Sequence, residues 1–158
     1  MPHDLVTLEP SEMISAAMNG VMRQVQNLKG DRTDVYGAAL EDGWKIAIAG
    51  TLGEMAFAKW SGIYNCGVGT FRGPDVGRYE VRTAHHANAR LILHPDDKDD
   101  SIYWLLNGFN GHYQVRGWAF GREGKNEEYW KDPTGTNRWA FFVPHHQLHP
   151  PTERPPYA

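Results

Sequence analysis

The residues most able to do chemistry are gathered in one stretch, Pro74-Asp75-Val76-Gly77-Arg78-Tyr79-Glu80-Val81-Arg82. Asp75 and Glu80 are five positions apart. On one straight strand they would face opposite sides, because side chains alternate. Gly77 removes that restriction. A turn or bulge there ends one strand near Asp75 and begins the next at Arg78, so the two acids can converge. Glu80 and Arg82 share one face of the second strand, while Tyr79 and Val81 face the other way, toward a core. An acid pair with a cation beside it suits a hard metal ion. Mg²⁺ takes oxygen ligands, usually one or two carboxylates together with water and substrate phosphate. Such an ion activates water and stabilises charge on a phosphodiester. Arg82 adds a fixed positive charge but cannot act as a base.

A third acid, Glu54, lies in the apolar run Gly53-Glu54-Met55-Ala56-Phe57-Ala58. A carboxylate in such surroundings needs a partner or a metal. If its helix meets the sheet, Glu54 points toward the acid pair. The plain alternative is an ion pair with an arginine at the helix edge.

Elements that would position these groups follow from the periodicity. Pro10-Ser11 starts a first helix with Ser11 as N-cap, and Ile14, Ala17, Met18, Val21, Val25 and Leu28 recur at helical spacing up to Gly30. A second helix spans Trp44 to Ser61. Gly50 and Gly53 each cost it about 1 kcal/mol against alanine, so they are expected where something approaches closely, most simply a sheet. Strands are predicted at Gly67–Phe71, Arg78–Ala84, Arg90–Leu93, Ser101–Leu106, Tyr113–Phe120 and Trp139–Val143, with a short helix within Arg122–Trp130. Two helices followed by a run of strands predict an α+β fold, a central mixed β-sheet flanked by helices. Residues 1–149 form one domain in this reading. Pro150 to Ala158, with four prolines, forms a flexible tail.

A helix carrying Gly-Glu-x-Ala, then Pro-Asp, then Glu-Val-Arg-Thr on a strand resembles the PD-(D/E)xK nuclease superfamily, with its restriction-endonuclease-like fold. The likeness covers Trp44 to Leu93, and it is nearest to small members carried by phages and mobile elements. It implies a Mg²⁺-dependent nuclease, with Mn²⁺ as substitute, acting on DNA. Glu54, Asp75 and Glu80 would be the catalytic and metal-binding acids, and Arg82 would stand where the motif has its lysine. Two departures are visible: arginine replaces that lysine, and the interval from Asp75 to Glu80 is short. They leave room for an inactive nuclease-like scaffold that binds nucleic acid or a host protein. A structural protein whose acids are surface charges is a third reading.

Other residues bear on substrate binding. His85 and His86 follow the strand directly and are either phosphate contacts or a solvated pair. Arg116, Arg122 and Lys125 could form a local basic strip. The chain carries 16 Lys+Arg against 19 Asp+Glu, a net charge of −3, so binding of DNA by overall charge is excluded and a strip would do the work. Tyr129 and Trp130 could stack on bases, whereas Trp60, Trp104, Trp118 and Trp139 are expected in the core. His145, His146 and His149 lack an accompanying acid and are flanked by prolines, which argues against zinc. Asp96, Asp97, Asp99 and Asp100 around Lys98 lack the pattern of a calcium loop and are expected as a solvated turn. Cys66 is the single cysteine, which excludes an intramolecular disulfide and suits a reducing compartment. No apolar run approaches the ~20 residues that span a bilayer, and no secretory signal is apparent; a cytoplasmic location is expected, within a phage-infected host if the resemblance holds. Cutting a duplex would call for a homodimer, yet the sequence offers no legible dimer face.

Overall fold

The structure is a computed structural model and describes residues 3–30, 42–65 and 73–156. The strand expected at Gly67–Phe71 and Cys66 lie outside the described residues. The fold is α+β: a four-stranded mixed sheet, a three-stranded sheet and helices. In chain order the elements are β1 (Leu5–Thr7), α1 (Pro10–Lys29), α2 (Gly43–Ser61), β2 (Tyr79–Ala84), β3 (Leu91–Leu93), β4 (Ile102–Phe109), β5 (His112–Phe120), α3 (Gly121–Gly124), β6 (Trp130–Lys131) and β7 (Ala140–Val143). The larger sheet has the order β1-β5-β4-β2, with β2 parallel to β4 and the other pairs antiparallel. The smaller one has the order β3-β7-β6.

Burial explains this layering. Along β4, residues Ile102 to Asn107 are all buried, the continuous pattern of a strand covered on both faces. Ile102, Trp104 and Leu106 pack with Tyr79 and Val81 against Ala56, Phe57 and Ala58 of α2. Tyr103 and Leu105 point the other way and pack with Leu91, Leu93 and Val143 of the smaller sheet. Helices therefore cover one face of the main sheet, and the smaller sheet covers the opposite one. The expected mixed sheet with helices against it is present, and the second sheet on its other face is an addition to that expectation.

α1 begins two residues earlier than Ser11 suggests. Glu9 is its N-cap, and the Glu12 carboxylate accepts the Glu9 N–H at 2.6 Å. Its inward residues are Ala16, Gly20 and Gln24, not the apolar stripe by which the helix was recognised. Ile14, Met18, Met22, Val25 and Leu28 are exposed. The tail expected to be loose is docked: the Trp118 indole N–H donates to the Glu153 carbonyl at 2.8 Å, and Pro155 is buried. Trp139 is 48% exposed and stacks on Trp130, so it is not a core residue.

Candidate functional site

β2 and the turn before it create the site. Val76 and Tyr79 exchange two backbone hydrogen bonds, 3.1 and 2.9 Å, around Gly77 and Arg78. Gly77 has φ +61°, a conformation that glycine adopts without strain at the first central position of a tight hairpin turn. This turn folds Asp75 back alongside β2. One oxygen of its carboxylate accepts the Val81 N–H at 2.8 Å, and the carboxyl is in hydrogen-bonding contact with that of Glu80. The convergence expected from Gly77 is what the geometry delivers. Tyr79 and Val81 are buried, while Glu80 and Arg82 lie half-buried on the opposite face, as the alternation requires.

Burial, and after it the charge of Asp75, push Glu80 up to about 7; Arg82 acts in the opposite direction. The pair therefore holds a proton near neutrality. Arg82 donates to Asp97 at 2.9 Å and lies over the Tyr103 ring at 5.3 Å. Asp97 also accepts the His94 N–H at 2.8 Å, which fixes its loop against β2. Burial and the neighbouring Asp97 in turn raise the Tyr103 hydroxyl to about 12, so it is a neutral donor or acceptor here.

Glu54 comes from α2 and is buried. Arg23 of α1 grips both its oxygens at 2.7 Å. That is the alternative foreseen for an acid in an apolar helix. Burial raises the Glu54 carboxyl, the Arg23 hydrogen bond lowers it, and the charge of Asp75 raises it again. Asp75 thus stands within electrostatic reach of Glu54, Glu80 and Arg23. The cluster joins the acids Glu54, Asp75, Glu80 and Asp97 to Arg23 and Arg82, a surplus of negative charge when all are ionised. The described residues contain no group of three His, Cys, Asp or Glu side chains arranged as metal ligands.

The remaining candidates are dispersed. His85 and His86 are exposed beyond the end of β2, His85 stacking on Phe109. Arg116 donates to Gln114 at 2.9 Å. Arg122 pairs with Asp100 at 2.9 Å, and Lys125 pairs with Asp99 and donates to the Asp97 carbonyl at 2.6 Å. The acid run is therefore not simply solvated: it neutralises much of the basic strip. His149 stacks on Trp118 and meets Glu123, apart from any metal-like grouping with His145 and His146.

Arg23 and Asp97 escaped the sequence reading. Arg23 had a faint signal, being the one charged residue between Glu12 and Lys29 and sharing a helix face with Ala16 and Gly20. Asp97 had none, since nothing linear separates it from its neighbouring aspartates. Arg154 was assigned to the tail, but with Arg78, Phe57, Trp60, Tyr79 and Trp104 it lines a cavity of about 570 Å³ beside the Gly77 turn. Comparison with protein-family models, curated proteins and solved structures finds no match.

Proposed function

We propose that the chain is a Mg²⁺-dependent nuclease that hydrolyses phosphodiester bonds of DNA. One observation carries this reading: the Gly77 turn presses Asp75 against Glu80, with Arg82 on the same strand face as Glu80. The donor set fits a hard cation, which is satisfied by two adjacent carboxylates and takes its other ligands from water and phosphate. Asp75 and Glu80 would hold it. When bound, the ion supplies an activated water and neutralises charge on the phosphodiester. Arg23 holds both Glu54 oxygens behind Asp75, so Glu54 orients and biases the site instead of ligating directly. Arg82, steadied by Asp97, provides positive charge for the phosphate. Arg122 and Lys125 being paired, Arg78 and Arg154, which line the cavity beside the Gly77 turn, are the cations we assign to the DNA backbone in place of that strip.

The test combines calorimetric titration of Mg²⁺ and Mn²⁺ with cleavage assays on single- and double-stranded DNA. We expect Mn²⁺ binding and metal-dependent cutting, both lost in Asp75→Ala/Glu80→Ala. Cutting that survives in the double variant would sink the proposal.

A second reading, an inactive scaffold that binds nucleic acid or a host protein, is favoured by a specific pairing. Arg82 stands in place of the motif lysine and is tied to Asp97. DNA binding without cleavage in either metal would select it.

A further inference from the structure

Helix α1 presents a second apolar face that the described fold leaves uncovered. Ile14, Met18, Val21, Val25 and Leu28 are spaced four, three, four and three positions apart. This is the 3.5-residue repeat with which helices pair lengthwise. Ile14 is 67% exposed, Met18 56%, Val25 40% and Leu28 56%, with Met22 at 45% beside them. Between Met13 and Leu28 the only charged residue is Arg23, and it turns inward to Glu54. The polar neighbours on the outward side, Ser15, Asn19 and Gln26, are uncharged. Depletion of charge around an apolar stripe marks the centre of a protein interface.

We propose that this face pairs with the same face of a second copy, the two α1 helices running antiparallel with Val21 on the two-fold axis. From Val21 the stripe extends seven positions each way, to Ile14 and to Leu28, with Met18 three positions before it and Val25 four after it. An isologous contact needs such a near-symmetric spacing about its axis. It sets Ile14 of each copy against Leu28 of the other, and Met18 against Val25. Charge selects the same orientation. The exposed Lys29 at the end of one helix comes to the Glu9 end of the other, where Glu12 is already paired with Lys59, and the helix dipoles oppose. A parallel pairing would bring Lys29 to Lys29. Trp44 and Ile46 also lie exposed at the start of α2, where Gly43 abuts Gln24 of α1.

Sedimentation equilibrium over a concentration series tests this. The parent chain should reach twice its 17.9 kDa, and Val21→Glu and Met18→Glu should each return it to 17.9 kDa. Circular dichroism should show both variants folded; Met18, more than half exposed, protects the test if Val21→Glu unfolds. Replacing the single native cysteine by Cys66→Ser allows engineered cross-links. Val21→Cys should oxidise to a covalent dimer. Ile14→Cys mixed with Leu28→Cys should cross-link more than Ile14→Cys alone. A parent chain that stays monomeric at every concentration overturns the proposal, because the stripe then serves residues 31–41 or an unlike partner. A dimer indifferent to both glutamate substitutions overturns it equally.

Discussion

Glu80 titrates near 4.5 when unfolded and near 7 in the folded chain, where burial and Asp75 disfavour its charged form. Between those values the folded chain holds a proton that the unfolded chain has released. Stability contributed by this group is therefore complete below about pH 4.5, falls as pH rises toward 7, and then levels off. Glu80→Gln should remove that slope. At pH 8 it should melt above the parent by on the order of 1–3 kcal/mol, while at pH 4 the two should converge. Thermal melts across this range check it, and an unchanged slope in the variant would assign the proton elsewhere. Asp75, Glu80 and Arg82 were legible in sequence because strand alternation and one glycine are local rules. Arg23 and Asp97 were not, because their partners lie 31 and 15 positions away, joined by packing alone.

At the scale of elements, Gly50 and Gly53 separate two reasons for a glycine in a helix. A side chain at Gly53 would overlap Thr83 Oγ1 and come within 2.9 Å of Thr83 Cβ on β2. At Gly50 a Cβ would meet nothing within 4 Å. Thr83 is β-branched and stiff, so it yields poorly. Gly53→Ala should cost about 1–3 kcal/mol, whereas Gly50→Ala should gain up to about 1 kcal/mol from helix propensity. Denaturant titration of both variants distinguishes them; equal losses would contradict the packing of α2 on β2. The sequence pattern assigned both glycines to the sheet contact, and only one of them makes it. The same difficulty misdirected the reading of α1. Helical spacing establishes that a stripe exists, but not whether the core or solvent receives it. Here Ala16 and Gly20 let α1 approach α2 closely, and the larger side chains were left outside.

For the whole molecule, the α+β class and the succession of elements were legible, since two long helices precede the strands. Strand β1 was missed because three residues carry no period, and the second sheet because its pairings are non-local. The carboxyl-terminal segment was misjudged because proline content indicates stiffness, not where a chain lies. Deleting residues 150–158 removes the Glu153 carbonyl from the buried Trp118 indole. That orphaned donor should cost about 1–3 kcal/mol in a thermal melt. A truncated chain as stable as the parent would show the docking to be energetically idle. Strand β5 is the place where both ends of the chain are fastened. Leu5–Thr7 pair with His112–Gln114 near its start, and His149 exchanges backbone bonds with Trp118 near its finish. This has a consequence in time. Asp4 and Gln114, joined at 2.7 Å, are 110 positions apart. At the pace of translation the first strand therefore waits roughly 5–20 s for its neighbour to be made. Ribosomal synthesis must hold that edge open, and closure of the sheet belongs to the last events of folding, not the first.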